Sequence, residues 1–318
     1  MDSRIITVVG GTGFIGRYVV KRLAKAGYRV RVISRNPEAA LPLKTAGDPG
    51  QIVLLGANLA KPESFTGMLE GSYAVVNLVG ILFESGKQSV DTLQSRGAES
   101  LAKAAKSAGV QRFIQLSAIG VDRASGSHYA RTKLLGEKAV QAAFPGATIL
   151  RPSVVFGAED QFFNEFAKMA QFAPALPLIG GGTTQFQPVY VDDVAHAIEI
   201  SLQDDRTMGE TYELGGPKIY SFRQILELIT RTIHKPRALV TIPFAAAGPI
   251  ALGAEIAYKL VPVIRKPALT RDQLKLLKHD NVVSPKAKTF ANLGIQPTSV
   301  ESVVPAFLAR FAPYTKVA

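Results

Sequence analysis

Three polar side chains could together act on a carbon atom that bears oxygen. Tyr129 and Lys133 lie four residues apart in Tyr129–Ala143, whose pattern predicts a helix, so both would point to the same side. Ser117 follows the predicted strand Arg112–Leu116, and parallel α/β sheets bind ligands where their strands end. The Lys133 ammonium would lower the pKa of Tyr129, whose phenol would exchange a proton with an oxygen that Ser117 orients. The set predicts hydride transfer, although tyrosine and lysine at this spacing also occur as ordinary surface residues.

A glycine-rich segment near the start of the chain has the pattern of a phosphate-binding turn. Glycine occurs at every third position, as Gly10, Gly13 and Gly16, where the apolar run Ile5–Val9 leads into the helical pattern Phe14–Ala26. One glycine permits the tight turn, one lets the backbone approach a pyrophosphate, and one lets helix and strand pack closely. The free N–H groups and positive dipole end of the helix favour phosphate. The residues predicted to contact a dinucleotide are Gly10, Thr12, Gly13, Phe14, Ile15 and Gly16. The alternative is a strand-to-helix turn without a ligand.

The end of the second predicted strand, Arg29–Ile33, indicates which dinucleotide is bound. An acidic residue usually stands there in NAD-binding chains, where it accepts hydrogen bonds from the ribose hydroxyls. Here the strand is followed by Ser34 and Arg35, and an arginine pairs with a 2′-phosphate. We therefore predict NADP(H) rather than NAD(H), while a solvated surface charge is the alternative for Arg35. Arg31 is a further candidate if its side chain turns toward the site.

A parallel sheet is needed to bring these residues together. Short apolar runs alternate with helical patterns through the first half of the chain, which is typical of βαβ units. The predicted strands are Ile5–Val9, Arg29–Ile33, Ile52–Leu55, Ala74–Leu78, Arg112–Leu116 and Thr148–Arg151. The predicted helices are Phe14–Ala26, Pro62–Met68, Ser89–Ser107 and Tyr129–Ala143. We expect an α/β fold with a Rossmann-like, doubly wound parallel sheet and a smaller C-terminal α/β unit.

The alternation weakens after Pro152, which indicates that a second unit begins there. We expect an NADP(H)-binding domain in residues 1–155 and a smaller docking or substrate unit in residues 156–318. Residues 187–203 would pack back on the first domain. The elements predicted in the second unit are a strand at Gln187–Val191, a helix from Asp192 or Asp193, and a helix capped by Ser221.

The stretch Ile242–Ile264 is almost entirely apolar, but three prolines and two charges interrupt it. It therefore does not match a membrane-spanning helix, which needs roughly 20 apolar residues in succession. Two interpretations remain: a helix from Pro249 buried in the second unit, or a helix lying at a membrane surface with Arg265 and Lys266 at the headgroups. We favour the buried helix, because the apolar face is not clearly separated from a strongly charged one.

Composition excludes several classes of protein. The chain has 318 residues, of which 47% are hydrophobic, so it can bury a large core, and it has no cysteine. Disulfides and thiolate catalysis are thereby excluded. The four histidines, His128, His196, His234 and His279, lack the spacing of metal ligands, and we predict no metal site. Because the first strand begins within a few residues of Met1, we expect no signal peptide.

Positive charge is concentrated toward the end of the chain. Of the formal net charge of +12, the residues from Lys235 onward carry +8, with 12 Lys and Arg against 4 Asp and Glu. Such a basic part suits anionic lipid, an acidic partner protein or nucleic acid. We predict no nucleic-acid binding, because no recognised nucleic-acid-binding motif is present.

Four segments in order along the first 200 residues resemble the extended and atypical short-chain dehydrogenase/reductase superfamily: GGTGFIG from Gly10, the Tyr129 and Lys133 pair, RPSVVFG from Arg151 and PVYVDDV from Pro188. The resemblance implies that Lys133 also bonds the nicotinamide ribose. The further cofactor contacts that it implies are Asn58 and Leu59 at the adenine, Leu78, Val79 and Gly80 at the ribose, and Ser153 near the nicotinamide. Two residues depart from its pattern, since Asn58 replaces the usual aspartate and Gln94 replaces the asparagine that often supports the lysine.

Three later segments narrow the resemblance: Tyr212–Pro217, Leu269–Leu274 and Leu276–Val283. They are similar to the nucleotide-binding accessory subunits of respiratory complex I, alpha-subcomplex subunit nine, of the alphaproteobacterial type. That family implies tightly bound NADPH without an established substrate. It also implies a role in assembly and stability beside the core subunits near the quinone site.

This resemblance favours a structural role over an enzyme. The location it implies is peripheral, on the cytoplasmic face of the bacterial inner membrane or on the matrix side in mitochondria, with contact to the membrane surface possible through residues 242–266. The alternative is an NADPH-dependent reductase or an epimerase-like enzyme that acts on a small carbonyl or hydroxy compound.

Overall fold

A seven-stranded parallel sheet forms the centre of the protein. The structure is a computed structural model that describes residues 4–81, 89–260, 266–267 and 269–313. Its strands are β1 (Ile5–Val9), β2 (Arg29–Ser34), β3 (Ile52–Gly56), β4 (Ser72–Asn77), β5 (Arg112–Leu116), β6 (Thr148–Pro152), β7 (Val155–Phe156), β8 (Ala175–Ile179), β9 (Gln185–Phe186), β10 (Val189–Tyr190), β11 (Thr211–Leu214), β12 (Tyr220–Ser221) and β13 (Ala238–Ile242). The six strands predicted for the first half are confirmed to within two residues at each end.

Helices cover both faces of this sheet and form much of the C-terminal part. They are α1 (Phe14–Lys25), α2 (Gly97–Ser107), α3 (His128–Ala143), α4 (Phe162–Phe172), α5 (Val191–Gln203), α6 (Phe222–Thr232), α7 (Phe244–Leu260), α8 (Arg271–Leu276) and α9 (Val300–Leu308). A π-helical turn at Thr92–Arg96 leads directly into α2. None of the described helices is long and apolar enough to cross a membrane.

The order of the strands creates a crevice at one edge of the sheet. The order is β11-β6-β5-β4-β1-β2-β3, and every pairing is parallel. The chain builds outward from β1 in one direction through β2 and β3, and in the other through β4, β5 and β6. Ligands of such sheets bind where the order reverses, beyond the carboxyl ends of the strands. The predicted Rossmann-like α/β fold is confirmed.

Two hydrophobic clusters fix the helices to the two faces of the sheet. On one face, Val8 and Val32 pack with Leu23 of α1 and Ile198 of α5. On the other face, the cluster includes residues of β4, β5, α2 and α3, namely Val75, Phe113, Leu101 and Val140. Because both faces are covered, the strands can be apolar almost throughout. The sheet is therefore a rigid support for side chains at its edge.

Two local predictions differ from the structure. Pro62–Met68 was predicted as a helix but forms two short 3-10 turns, Pro62–Ser64 and Thr66–Leu69. The predicted strand Gln187–Val191 is reduced to the two-residue strand β10, and α5 begins at Val191. Both segments are too short to bury a regular apolar face of their own. The capping role of Ser221 is confirmed, since its side chain accepts a hydrogen bond from the Gln224 N–H of α6.

The central sheet also recruits a strand from far along the chain. β11 pairs with β6 in parallel, and α5 packs against α1, where Arg22 forms ion pairs with Asp192 and Glu199. The sheet thus draws on residues from both sides of the predicted division after residue 155, and that division stays a prediction. The C-terminal part has its own cluster, in which Phe156, Phe163 and Phe222 are buried.

The preference for burying Ile242–Ile264 is wrong for its described part. α7 begins at Phe244 rather than at Pro249, and only Ala247 and Ala251 in it are buried. Its outward side chains are Ile250, Leu252, Ile256 and Leu260, which are between 40% and 74% exposed. Leu252, Ile256 and Leu260 are spaced by four, so they form one stripe along the helix. Residues 261–265, which include Arg265, lie outside the described residues.

Candidate functional site

The glycine-rich turn joins β1 to α1 at the carboxyl edge of the sheet. Gly10 has a positive φ of 87° and donates from its N–H to Ile33 O at 3.0 Å. Gly13 precedes the first helical residue and offers no side-chain cap, and the first turn of α1 has no acidic residue. A Cβ atom on Gly16 would lie 2.6 Å from Gly11 Cα, so only glycine fits there. The turn leaves free N–H groups at the helix start, which suits a phosphate.

The end of β2 carries a buried hydroxyl that lacks a partner. Ser34 Oγ is buried and makes no hydrogen bond within the described part of the chain. Arg35 beside it is exposed, so its guanidinium is available to an anion. Arg31 is not a candidate, because its guanidinium donates to Met68 O, Glu70 O and Ser72 Oγ. Of the two arginines considered for the predicted 2′-phosphate contact, Arg31 is engaged by other groups and Arg35 is exposed.

Arg17 is a residue of this edge that sequence reasoning missed. Its Nε atom is buried and has no hydrogen-bond partner among the residues that the structure describes. Arg17 shares a helix face with Lys21 and Ala24, and those two border Gly47 in the connection between β2 and β3. Arg17 therefore begins the face of α1 that is turned toward the connection between β2 and β3. Its place directly after the third glycine was the available signal.

The residues after β3 form a turn that is closed by hydrogen bonds among themselves. Asn58 Oδ1 accepts a hydrogen bond from the Ala60 N–H, and the Asn58 N–H donates to Ser64 Oγ at 3.0 Å. Leu59 is buried, with its side chain against Gly97. Of this predicted adenine pair, Asn58 stays partly accessible and Leu59 belongs to the core.

The residues after β4 lie beside both the glycine turn and the helix α3. The Leu78 N–H donates to Val9 O at 3.0 Å, and a Cβ on Gly10 would touch Val79. Gly80 is exposed, and a Cβ on it would lie 3.0 Å from Lys133 Nζ. The structure therefore brings the predicted ribose-side residues together with Gly10 and Lys133.

Lys133 lies on α3, and its buried side chain reaches the end of β5. Its Nζ donates to Leu116 O at 3.1 Å, immediately before Ser117 in the chain. Burial lowers the pKa of Lys133 to about 8, although the nearby Glu137 carboxylate opposes the shift. A buried ammonium that is destabilised in this way gains when an anionic or hydroxyl-rich ligand approaches it. Lys133 is thus suited to bind the ribose of a dinucleotide.

Ser117 and Tyr129 complete the predicted set of reactive side chains. Ser117 Oγ is buried and has no partner in the described part of the protein. Burial raises the pKa of Tyr129 to about 12. A proton-transferring phenol works best when its pKa is near the ambient pH. The three residues lie at one edge of the sheet, and the shift in the pKa of Tyr129 is away from that range.

Gln94 lies next to α3 without supporting Lys133. It is buried in the π-helical turn, where its Nε2 donates to Ile81 O and its Oε1 accepts from the Thr132 hydroxyl at 3.3 Å. Its backbone oxygen approaches Gly136 so closely that a side chain there would clash. Gln94 therefore fixes the position of α3, while its amide is not bonded to Lys133.

Ser153 is already engaged by the C-terminal part of the chain. Its hydroxyl donates to Asn281 Oδ1 at 2.7 Å, and the Val154 N–H donates to the same oxygen at 3.0 Å. Asn281 Nδ2 in turn donates to Ile119 O at 3.2 Å. A strap of chain around Asn281, which we define as residues 277–284, therefore crosses the edge of the sheet beyond β5 and β6. The predicted nicotinamide contact of Ser153 has to compete with this strap.

Three buried polar atoms at this edge, Arg17 Nε, Ser34 Oγ and Ser117 Oγ, share the lack of a partner within the described residues. Buried polar groups in folded proteins are nearly always hydrogen-bonded. Together with the glycine turn, they fit a phosphate-bearing dinucleotide. The described residues contain no group of three His, Asp or Glu that could hold a metal ion, and the absence of a metal site stays a prediction.

Comparison with known proteins agrees with this geometry. Residues 6–215 match the sequence profile of the NAD dependent epimerase/dehydratase family. The dTDP-glucose 4,6-dehydratase DesIV from Streptomyces venezuelae, solved with NAD and TYD bound, superposes with a TM-score of 0.72 at 19% identity over 96% of each chain. Because the profile spans well over half of the sequence, the chain belongs to the NAD dependent epimerase/dehydratase family.

Two relatives extend the similarity over nearly the whole chain. The mitochondrial NADH dehydrogenase [ubiquinone] 1 alpha subcomplex subunit 9 of Arabidopsis thaliana is 37% identical over 96% of this chain and 78% of its own length. The mitochondrial NADH-ubiquinone oxidoreductase 40 kDa subunit of Neurospora crassa is 34% identical over 94% of this chain and 77% of its own length. The resemblance to the alpha subcomplex subunit 9 proteins is confirmed.

Proposed function

We propose that this protein is an accessory subunit of respiratory complex I that binds NADPH as a structural ligand. It assembles with core subunits near the quinone site, peripherally on the cytoplasmic face of a bacterial inner membrane. A ligand that binds only the folded state stabilises it by mass action, by roughly 4 kcal/mol at a thousandfold excess over its dissociation constant. Stabilisation of this size requires no turnover.

One observation carries the proposal. The profile of the general family ends at residue 215, whereas the similarity to the two complex I subunits covers at least 94% of the chain. The C-terminal third is therefore part of the sequence similarity to these complex I subunits. This is the part that contains α7, α8 and the strap, and it carries most of the positive charge.

The choice of NADPH over NADH rests on the end of β2. No carboxylate follows the strand, and the exposed Arg35 and the buried Ser34 stand there instead. Arg17 adds a second guanidinium at the adjoining end of α1. Guanidinium groups form charge-assisted, often bidentate hydrogen bonds with phosphate. When bound, the cofactor would be able to supply hydride, while Arg35, Arg17 and Ser34 hold its 2′-phosphate and Lys133 its ribose.

The surroundings of Ser117, Tyr129 and Lys133 support a structural role rather than catalysis. The pKa of Tyr129 is raised to about 12 by burial rather than lowered, and the Lys133 ammonium donates to Leu116 O. In addition, the Ser153 hydroxyl is bonded to the strap, which crosses the sheet edge beyond β5 and β6. These features favour a structural role for a bound cofactor over proton transfer by Tyr129.

The outward face of α7 is the proposed contact with the membrane surface. A helix that is apolar on all sides is normally buried, yet the stripe Leu252, Ile256 and Leu260 faces solvent. Lys259 lies at the same end of the helix, exposed, within the most basic part of the chain. An apolar face next to basic side chains binds anionic bilayers by inserting at the headgroup boundary. The bilayer is therefore the occupant that we propose for this face.

Co-purification tests the proposed function. Complex I solubilised from membranes in mild detergent should contain this protein with close to one NADPH per chain. A deletion strain should accumulate less assembled complex I, and a strain carrying Arg35→Asp should show the same defect in milder form. Fully normal complex I in the deletion strain would refute the proposal.

A reductase or epimerase-like enzyme is the second candidate, because Ser117, Tyr129 and Lys133 do share one edge of the sheet. Its test is turnover of NADPH with small carbonyl compounds by the wild-type protein and by Tyr129→Phe. Turnover that depends on the Tyr129 hydroxyl would favour the enzyme. Equal rates in the two proteins would exclude this mechanism.

A further inference from the structure

The first turn of α3 is held from a distant part of the chain. Asp272 accepts hydrogen bonds from the backbone N–H groups of His128 at 2.7 Å and Tyr129 at 3.0 Å, and the Ser127 hydroxyl donates to it at 2.8 Å. Ser127 Oγ itself accepts from the Ala130 N–H. The free N–H groups at the start of a helix need such partners. Here one local side chain and one that is more than 140 residues away supply them.

The carboxylate of Asp272 is well suited to this position. Burial alone would raise its pKa, but the hydrogen bonds from Tyr129, His128 and Ser127 lower the pKa below its ordinary value. Asp272 is therefore ionised at neutral pH. A negative charge at the N-terminus of a helix is favoured by the helix dipole.

Asp272 is in turn anchored to the proposed membrane-contacting helix. In α8, the neighbouring Leu274 packs in a small buried cluster with Ala247 and Ala251 of α7. The guanidinium of Arg271 donates to the Glu255 carboxylate of α7 at 2.9 Å. A continuous set of contacts therefore runs from α7 through α8 to the start of α3.

We propose that Asp272 is a positioning residue of the nucleotide site, which fixes the first turn of α3 so that Tyr129 and Lys133 face the bound NADPH. By the same contacts it ties NADPH binding to the α7 and α8 pair. The inference rests on the proposed binding of NADPH. The inference extends that proposal, because it makes the C-terminal part of the chain a support of the nucleotide site. Asp272 acts through its bonds to α3 rather than by contact with the nucleotide.

Binding measurements with purified full-length protein test the positioning role. Asp272→Asn should weaken NADPH binding about tenfold, a cost typical of a lost helix cap, and Asp272→Glu should recover part of it. Ser127→Ala, which removes one of the three bonds to Asp272, should give a smaller loss and serves if Asp272→Asn does not fold. The control is Glu301→Gln, which breaks a carboxylate contact with the Tyr220 hydroxyl elsewhere in the C-terminal part.

A merely structural role would give a different result. Glu301→Gln and Asp272→Asn should both lower the melting temperature, but only Asp272→Asn should change the affinity for NADPH. It should also shift the pH at which NADPH affinity begins to fall, which we expect to follow the pKa of Lys133, about 8. If folded Asp272→Asn keeps the wild-type NADPH affinity and pH dependence, the positioning role is overturned and the proposed function is not affected. A wild-type protein that binds no NADPH would overturn the proposed function and this inference with it.

Hydrogen exchange tests the link to α7. Linkage between two sites is reciprocal, so NADPH should slow amide exchange in α7 and α8 (residues 244–260 and 271–276) of the wild-type protein. In Asp272→Asn saturated with NADPH, that protection should be lost while protection around the glycine turn remains. Equal protection of α7 and α8 in both proteins, or none in the wild type, would contradict the link.

Discussion

Among the residues that the structure describes, the carboxyl edge of the sheet has buried polar atoms without a hydrogen-bond partner, whereas the outer face of α7 has apolar side chains that are exposed. The first group is Arg17, Ser34 and Ser117, and the second is centred on Leu252 and Ile256. A buried polar atom without a partner costs free energy until an acceptor or donor arrives. An exposed apolar stripe costs free energy until it leaves water.

This difference indicates what each region requires. The sheet edge is rigid, because two covered faces support it, and it requires a small charged ligand. In α7 only Ala247 and Ala251 are buried, where they pack with Ile179 and Leu274, and the outer face requires a broad apolar surface. The two can be separated experimentally by substituting outward side chains of α7 such as Leu252, which lie outside the contacts that link α7 through α8 to the start of α3.

The largest effect is expected at the glycine turn. Gly16→Ala would place a Cβ 2.6 Å from Gly11 Cα, so the turn has to open. Overpacking of this kind costs about 1–3 kcal/mol of folding stability, and NADPH binding should become undetectable. The matched control is Gly67→Ala, where a Cβ would meet nothing within 4 Å. Calorimetry and NADPH titration measure both effects. Binding by Gly16→Ala at wild-type affinity would show that the turn holds no phosphate.

The next effect concerns the choice of cofactor. Arg35→Asp replaces a guanidinium by a carboxylate at the proposed 2′-phosphate, and should weaken NADPH about hundredfold. NADH binding should change little, because NADH lacks that phosphate. Arg29→Asp makes the same charge change at the opposite end of β2, where it should leave both affinities near the wild-type values. A parallel loss of NADH and NADPH in Arg35→Asp would argue against the assignment.

A third test addresses the apolar stripe. Leu252→Glu should reduce binding to vesicles of phosphatidylcholine with phosphatidylglycerol about thirtyfold, since burial of one leucine contributes ~2 kcal/mol. NADPH affinity should stay the same. Leu41→Glu introduces the same change at a leucine exposed in the first half of the chain, and should leave vesicle binding intact. Sedimentation with vesicles gives the readout. If both variants bind vesicles like the wild type, α7 contacts something other than lipid.

The smallest effect is a dependence of NADPH binding on pH. The pKa of Lys133 is about 8 in the free protein because burial disfavours its charge. An anionic ligand favours the charged form and raises that pKa, so the complex holds its proton to higher pH. NADPH affinity should therefore fall as pH rises above 8, by less than tenfold per pH unit for one proton. Lys133→Met should bind more weakly with no such fall. A flat profile in the wild-type protein would exclude Lys133 from the ribose contact.

Local patterns were sufficient to predict the first half of the fold. Each strand there is a short apolar run with its own flanking turn, and the glycine spacing constrains the chain within seven residues. The capping box at Ser221 is likewise local, since it needs only Gln224. The same holds for Arg35, whose meaning depends on its place directly after β2.

The rest required contacts that no local pattern encodes. Composition alone did not reveal that only Ala247 and Ala251 of α7 are buried, because burial depends on which distant segments pack against the helix. Nothing near Ser153 indicates that its hydroxyl is bonded to Asn281, 128 positions later. The sequence also does not show that the Arg31 guanidinium is hydrogen-bonded or that Arg17 Nε has no partner among the described residues, because both depend on side-chain directions.

The amino-acid sequence by itself determined the parallel sheet, the phosphate-binding turn and the reactive residue types, because apolar periodicity and glycine spacing act over a few residues. The tertiary structure alone decided how those residues are used. It buried Lys133, brought β11 and the strap to the sheet and Asp272 to the first turn of α3, and left α7 with an apolar face in water. Such outcomes depend on which distant segments exclude water from one another, and only the folded chain sets that.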